Sequence, residues 1–346
     1  MIPSHSRHAF VALALCSAVA TLCAAVGPAT AAAQSPHGAP GPESIAAPPD
    51  VEEGIDYLVY ERSGAPTTLS DIVSSVMGDE VLLVGEEHDD MVGHAVETLL
   101  LQAVFDRIGS AEGAGRTVVL SLEMFERDVQ YVLDEYLGGL ITEDHFLRSS
   151  RPWDDYDARY RPLVEAARAH AAPVVAANAP RRYVNRVTNQ GPESLAGLSA
   201  HARSYLPPLP FPGPSVAYRE QWEAIMTAAM LGAAESDQGA DRSYAPNPNA
   251  IYAQALWDAA MGHAITEALV RHIGGFVVHF AGSFHVERGT GIPERIADYR
   301  PGTRVTSVVM TKVDDIHEWS ADRHGPLADF VVLTRRPPTP GDASVR

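Results

Sequence analysis

The chain has 346 residues, 26 of them Lys or Arg and 44 of them Asp or Glu, which gives a formal net charge of −18 at pH 7. Its apolar fraction of 46% is enough to build a large core and excludes a globally disordered protein. The acidic balance excludes a broad phosphate-binding surface. We therefore expect no nucleic-acid partner and no electrostatic docking on anionic lipid.

The first 33 residues are typical of a secretion signal. A start containing Arg7 precedes an uncharged, Ala-rich run over residues 10–26, and residues 31–33 supply the small-x-small pattern that a signal peptidase needs. The alternative is an uncleaved anchor helix, but a run of about 17 residues is at the lower edge for a membrane span. We therefore predict export to the periplasm, the cell envelope or the medium.

Cys16 and Cys23 both lie inside this segment, and each follows Leu. A lipoprotein signal needs a small residue before its Cys, so membrane contact is expected only if the protein carries a lipid anchor. Cleavage after Ala33 would leave no cysteine. Disulfides, thiolate metal sites and Cys nucleophiles would then be excluded.

The rest of the chain divides by composition and pattern. Residues 34–54, rich in Pro, Ala, Gly and Ser, indicate a flexible linker, and residues 337–346 indicate a disordered tail. Between them, residues 55–336 are predicted to form one α/β domain. Within it, residues 190–275 are predicted to form a helical insertion, because a Pro-rich connection and two long helical patterns interrupt the strands there.

Six short, β-branched apolar runs predict buried strands, at residues 81–84, 117–122, 174–177, 276–281, 305–311 and 330–334. Helical patterns at residues 92–108 and 156–170 lie between them. Strands that alternate with helices indicate βαβ units. The predicted fold class is α/β, with a mostly parallel central sheet flanked by helices and a helical insertion or subdomain.

Polar side chains follow several of these strands, among them Glu86, His88, Glu123 and His285. Ligands of open α/β sheets bind beyond the carboxyl ends of the strands, so we expect these four residues to converge. Two imidazoles and two carboxylates suit a divalent metal or an acid–base pair. All four are therefore candidate catalytic residues and candidate metal ligands. The alternative is that they cap helices and bond loop backbones.

The insertion offers candidate contacts for a flat ligand. Trp222, Met226 and Met230 form a stripe at helical spacing, which favours a helix face that packs into the core; the alternative is a surface for a flat apolar ligand. Arg181 follows a predicted strand and could bind a carboxylate or cap local carbonyls.

The insertion also contains Tyr205, Tyr218 and Tyr244. A tyrosinate can hold ferric haem iron, as in catalase. Most tyrosines are packing residues with a solvated hydroxyl, so these three are alternatives for one role.

Seven motifs resemble those of the ChaN-like haem-binding proteins, in the same order, over about residues 69–335. They are Leu83–Asp89 (LVGEEHD), Leu122–Phe125 (LEMF), Trp153 with Tyr160–Leu163 (YRPL), Asn178–Arg181 (NAPR), Gln254–Met261 (QALWDAAM), Ala281–His285 (AGSFH) and Gly289–Pro293 (GTGIP).

The resemblance implies an exported haem-binding protein of haem or iron uptake, with haem held by the helical insertion through a Tyr ligand. It also implies a homodimer that pairs two haems. The wider superfamily includes TraB/Tiki-like and erythromycin-esterase-like enzymes. Their paired G-x-x-H motifs and Glu, carried onto Glu86, His88, Glu123 and His285, imply a metal-dependent hydrolase as the alternative. A third reading is a structural or signalling module with a vestigial pocket.

Overall fold

A computed structural model describes residues 50–110, 113–235 and 247–337, with only the backbone described for 229–235. The predicted secretion signal, most of the predicted linker and nearly all of the predicted tail lie outside these ranges. Within them, no helix combines the length and the hydropathy that a membrane span requires.

One sheet organises the described chain. Its strands are Tyr57–Glu61 (β1), Pro66–Thr67 (β2), Val81–Glu86 (β3), Val118–Glu126 (β4), Val174–Asn178 (β5), Phe276–Gly282 (β6), Val305–Val313 (β7) and Phe330–Arg335 (β8). Their order across the sheet is β2-β1-β8-β7-β3-β6-β4-β5. The strands from β8 to β5 pair in parallel, whereas β1 pairs antiparallel with both β2 and β8.

The predicted α/β class is confirmed, and each of the six predicted runs forms one of the parallel strands. The β1–β2 hairpin was not predicted. Its first strand is only partly buried and pairs at the edge, so it lacks the continuous apolar run of the inner strands.

Helices cover both faces of the sheet. They are Leu69–Ser75 (α1), Met91–Val104 (α2), Gln130–Leu137 (α3), Glu143–Ser150 (α4), Tyr156–Arg159 (α5), Arg161–Ala169 (α6), Arg181–Gln190 (α7), Ala200–Arg203 (α8), Val216–Glu235 (α9), Ala250–Arg271 (α10), Ile292–Tyr299 (α11) and Ala321–His324 (α12). Helices α1 to α6 pack on one face, with Leu82 and Val84 of β3. Helices α10 and α11 pack on the other face, with Val81 and Leu83.

Two helical predictions differ from the structure in detail. The pattern over residues 156–170 is interrupted at Tyr160, because Pro162 begins a new helix at its second position. The helix α10 falls inside the range predicted as an insertion. Its second half nevertheless packs Met261 and Ile265 against the sheet, so this part belongs to the α/β core.

A side chain occupies the free hydrogen-bonding edge of strand β5. Gln130, the first residue of α3, donates from Nε2 to the carbonyl of Val174 at 2.8 Å and accepts at Oε1 from the amide of Ala176 at 2.8 Å. The amide side chain satisfies the backbone groups that a neighbouring strand would otherwise pair.

Candidate functional site

Glu86 ends β3 and is the centre of a buried group of polar residues. Its Oε1 lies 2.7 Å from Nδ1 of His88 and accepts a hydrogen bond of 2.8 Å from the hydroxyl of Tyr160. Oε2 of Glu86 lies 3.0 Å from Nδ1 of His94. The same Nδ1 atom lies 2.9 Å from Oε2 of Glu97. We call Glu86, His88, His94, Glu97 and Tyr160 the Glu86 cluster.

The hydrogen bonds of His94 fix its protonation. Its Nε2 lies 3.1 Å from the carbonyl oxygen of His88, so that nitrogen carries a proton. Its Nδ1 faces two carboxylates. Burial by itself lowers the pKa of His94, but the charges of Glu97 and Glu86 outweigh burial and raise that pKa to about 11. Without a metal, His94 is therefore an imidazolium.

The two carboxylates of this cluster differ in pKa. Burial opposes ionisation of Glu86, yet His94 and His88 outweigh burial and hold its pKa well below the ordinary value. Burial, followed by the charge of Glu86, raises the pKa of Glu97 to about 8. The two buried carboxylates share one imidazole, and the repulsion between them falls mainly on Glu97.

Glu123, near the end of β4, belongs to a second group. His285 lies in a 3₁₀ turn, Ser283–His285, directly after β6. Its Nδ1 is 2.7 Å from Oδ1 of Asp258 on α10, and its Nε2 is 3.7 Å from Oε1 of Glu123. The hydroxyl of Tyr218 on α9 donates to Oδ2 of Asp258 at 2.6 Å. We call Glu123, His285, Asp258 and Tyr218 the Glu123 cluster.

The alternation of side chains along the strands separates the two clusters. Glu86 continues the set Leu82 and Val84, and therefore points toward α2. Glu123 continues the set that includes Val119, which packs with α10 on the opposite face. The four residues predicted to converge thus meet at one rim of the sheet but point to its two faces.

Gly282 of β6 joins the clusters. Its amide donates to Oε2 of Glu123 at 2.8 Å, and a Cβ at this position would lie 3.1 Å from Cε1 of His88. Gly85 is equally close-packed, since a Cβ there would lie 3.0 Å from the Cα of Ser283. Both glycines of the predicted G-x-x-H motifs therefore permit close approach of backbone and imidazole.

The loop after β3 is held by the one lysine of the chain. Lys312 of β7 lies 2.5 Å from Oδ1 of Asp89 and 3.4 Å from Oε2 of Glu87. The backbone amide of Lys312 also donates to Oε1 of Glu87 at 3.0 Å. These contacts fix the turn from which His88 projects.

The predicted haem residues do not form one group. Tyr218 is buried in the Glu123 cluster, where burial and Asp258 raise its pKa well above the ordinary value. Met226 packs partly buried beside Trp222 and Phe284. Tyr205 is half-buried after α8, with its hydroxyl 3.2 Å from Nε2 of His201. The side chain of Met230 and the whole of Tyr244 lie outside the described residues.

Arg181, the first residue of α7, is exposed at the surface. Its guanidinium forms no hydrogen bond or ion pair with any residue that the structure describes. The neighbouring Arg182 is paired with Asp128 at 2.5 Å and lies over the ring of Tyr183, 4.4 Å from its centroid.

His94, Glu97, Tyr160 and Asp258 were not predicted as cluster members. For His94, Glu97 and Asp258 the signal was a polar residue on a helix face that is otherwise apolar, whereas Tyr160 lies where one helix ends and the next begins. His94 and Glu97 share the face of α2 that carries Leu101, and Asp258 lies on the face of α10 that carries Ile265. The position on an apolar helix face indicated that the side chain is buried, but it did not indicate which residue of another element the side chain contacts.

A metal-ligating geometry occurs in the Glu86 cluster. Among the residues that the structure describes, Glu86, His94 and Glu97 form the one set of at least three His, Cys or acidic side chains whose ligand atoms all lie within 4.8 Å of one another. Of the four predicted ligands, only Glu86 belongs to this set. His88, Glu123 and His285 lie nearby without meeting that spacing.

Comparisons with known proteins place the chain in a family. The model of the family described as "Haem-binding uptake, Tiki superfamily, ChaN" matches residues 72–296. A solved structure described as cofacial haem binding to ChaN of Campylobacter jejuni is similar, with a TM-score of 0.58 at 17% identity over 83% of this chain and 100% of that chain. At this identity the likeness shows the fold alone.

Two further solved structures share less of the geometry. The type III effector HopBA1 has a TM-score of 0.40 at 10% identity, over 78% of this chain and 94% of that chain. A Bacillus cereus protein has a TM-score of 0.40 at 11% identity, over 78% of this chain and 92% of that chain. No curated protein matches the chain. The match over residues 72–296 is decisive, and this chain belongs to the ChaN family of the Tiki superfamily, the haem-binding uptake family.

Proposed function

We propose that this protein binds haem and serves in haem or iron uptake, with the haem held by the helical insertion. The observation that carries the proposal is the family match, which spans residues 72–296 and so includes the core motifs and the whole of the predicted insertion. The predicted secretion signal supports a place of action outside the cytoplasm.

The insertion has the side chains that a porphyrin needs. Partly buried aromatic residues pack along α7 and α10, with part of each ring at the surface; they are Tyr183, Phe211, Tyr252 and Trp257. Flat apolar ligands bind to such surfaces. Arg181 has no partner in the described residues, and Arg219 lies 5.5 Å from the ring centroid of Tyr252. These two guanidinium groups would pair with the propionates.

Tyr205 suits the role of axial ligand to the haem iron better than Tyr218 does. The hydroxyl of Tyr218 is committed to a carboxylate and buried, whereas that of Tyr205 is half-exposed beside an imidazole. His201 can accept the phenol proton, and a phenolate is the form that binds ferric iron. Met226, beside Trp222, would contribute to the apolar surface.

A hemin titration tests this assignment. The wild type should develop a Soret band with the charge-transfer absorption of a tyrosinate ligand, and Tyr205→Phe should lose that absorption. Tyr131→Phe is the matched control, because Tyr131 is an exposed tyrosine on α3, away from the insertion. No saturable hemin binding by the wild type would end the proposal. Equal loss in both variants would end the assignment to Tyr205.

The proposal includes a homodimer in the haem-bound state. It is supported by the Campylobacter jejuni structure, whose description is of cofacial haem binding. Sedimentation at increasing hemin should show one haem per chain, with dimer mass appearing only in the loaded protein. A loaded monomer would contradict this part and leave haem binding itself intact.

The hydrolytic alternative has weaker support. The family description names haem uptake, and Glu86, Glu123 and His285 are each at most 6% exposed. Their polar atoms are largely committed to partners inside the two clusters.

A further inference from the structure

We propose that Glu86, His94 and Glu97 form a binding site for one first-row divalent cation, separate from the haem site. The proposal goes beyond haem binding and does not depend on it. The three side chains lie at the end of β3 and along α2, and all three are buried.

The orientation of His94 suits metal coordination. Its Nε2–H is held by the carbonyl oxygen of His88 at 3.1 Å, which leaves Nδ1 as the coordinating atom. That Nδ1 is aimed between Oε2 of Glu86 at 3.0 Å and Oε2 of Glu97 at 2.9 Å. Metal-binding histidines commonly have the second ring N–H fixed by a backbone carbonyl in this way.

Two carboxylate oxygens of the three side chains have no hydrogen-bond partner. Oε1 of Glu97 and Oε2 of Glu86 are buried, and neither accepts a hydrogen bond of good geometry. Oε2 of Glu86 makes only the ion-pair contact with His94. Buried polar atoms in native proteins almost always have a partner. The other oxygen of Glu86 is already occupied by His88 and Tyr160, so Oε2 is the oxygen of Glu86 that is left for a cation.

The ligand charges also suit a divalent cation. Two carboxylates and a neutral imidazole carry a charge of −2, which a divalent cation neutralises. A ligand set of one imidazole and two carboxylates suits Zn²⁺, Mn²⁺ or Fe²⁺. The cation would enter past His88, whose side chain is 39% exposed and contacts Glu86.

Cobalt binding to EDTA-treated protein tests the site, because Co²⁺ reports its coordination by visible absorption. The wild type should bind one Co²⁺ per chain, which metal analysis after desalting should reproduce. Glu97→Gln and His94→Gln should weaken binding by more than the about 10- to 100-fold that loss of an outer-shell partner costs. Glu165→Gln is the matched control, because Glu165 is a partly buried carboxylate of α6 that bonds Tyr136 and belongs to neither cluster.

Thermal unfolding keeps the test decisive if a variant folds poorly. Co²⁺ should raise the melting temperature of the wild type and of Glu165→Gln, but not that of Glu97→Gln. The proposal is overturned if the wild type binds no Co²⁺, or if Glu97→Gln binds Co²⁺ as tightly as the wild type. Hemin titration of Glu97→Gln should match the wild type.

Discussion

His285 and Asp258 are joined by a 2.7 Å contact between Nδ1 and Oδ1, inside a fully buried part of the sheet rim. Tyr218 donates to the other oxygen of Asp258, so the carboxylate cannot rotate away. The contact places a proton on Nδ1 and directs Nε2 at Glu123. Helix α10 therefore sets the orientation of an imidazole that a strand supplies.

Asp258→Asn should lower the pKa of His285. Burial alone depresses this pKa, but Asp258 and then Glu123 outweigh burial and raise it to about 9. A group whose folded pKa exceeds its unfolded value of about 6.5 stabilises the fold fully below that pH. The contribution is lost as the pH rises through 9. In EDTA, the wild type should therefore lose more stability over this window than Asp258→Asn does.

NMR titration of the imidazole Cε1 protons provides the direct measurement. His263, whose pKa is lowered mainly by burial, is an internal reference. Its titration curve should be the same in the wild type and in Asp258→Asn. An unchanged pKa of His285 in Asp258→Asn would show that the carboxylate does not hold the imidazolium.

Tyr160→Phe should destabilise the protein. The Tyr160 hydroxyl donates to Oε1 of Glu86 at 2.8 Å, and hydrogen bonds to charged groups contribute about 1.5–3 kcal/mol. Tyr299→Phe is the matched control, because the Tyr299 hydroxyl is buried without a hydrogen-bond partner in the described residues. Urea unfolding should separate the two variants. Equal free energies of unfolding would mean that the contact to Glu86 contributes nothing.

Gly291→Ala should cost more than Gly289→Ala. Both glycines have positive φ, at 67° and 71°, so both substitutions carry a backbone strain of at least about 1–2 kcal/mol. Only at Gly291 would the new Cβ lie 2.8 Å from the carbonyl oxygen of His285 and 2.9 Å from Oδ1 of Asp258. Overpacking of this kind costs about 1–3 kcal/mol more. Differential scanning calorimetry that gave the same loss for both would contradict the close contact.

Gln130→Ala should destabilise the protein by about 1–3 kcal/mol, because it leaves a carbonyl and an amide of β5 without partners. It should also promote association through the uncovered strand edge. Gln102→Ala is the control, since Gln102 bonds only an exposed Asp106 on its own helical segment. Light scattering at rising concentration should distinguish them. A monodisperse Gln130→Ala protein would show that the edge is protected by other means.

The central architecture could be predicted from the sequence, because runs such as Val81–Val84 are apolar at every position and fit only a strand buried on both faces. The same rule predicted that Glu86 and His285 would approach one rim of the sheet. The hairpin that begins at Tyr57 could not be predicted in this way. Its first strand, β1, pairs with β8, which is more than two hundred residues away in the chain, and the hydrophobic pattern of β1 is weak.

The internal partners of the site escaped prediction for a different reason. Tyr160 reaches Glu86 only because a helix breaks at that residue, and Asp258 reaches His285 only because α10 packs across the sheet. Such contacts depend on tertiary placement and not on local periodicity. Sequence pattern located the rim, and the packing of helices on the two faces decided which side chains share it.

Lys312 offers an unusual chemical handle. It is the single lysine among 346 residues, and its amine is held against Asp89 and Glu87 with only 9% of the side chain exposed. Acylating reagents would therefore label one side-chain amine, that of Lys312, besides the amino terminus. They would label it only when the turn carrying His88 opens. The labelling rate at this position would report local opening beside the Glu86 cluster, without any introduced probe.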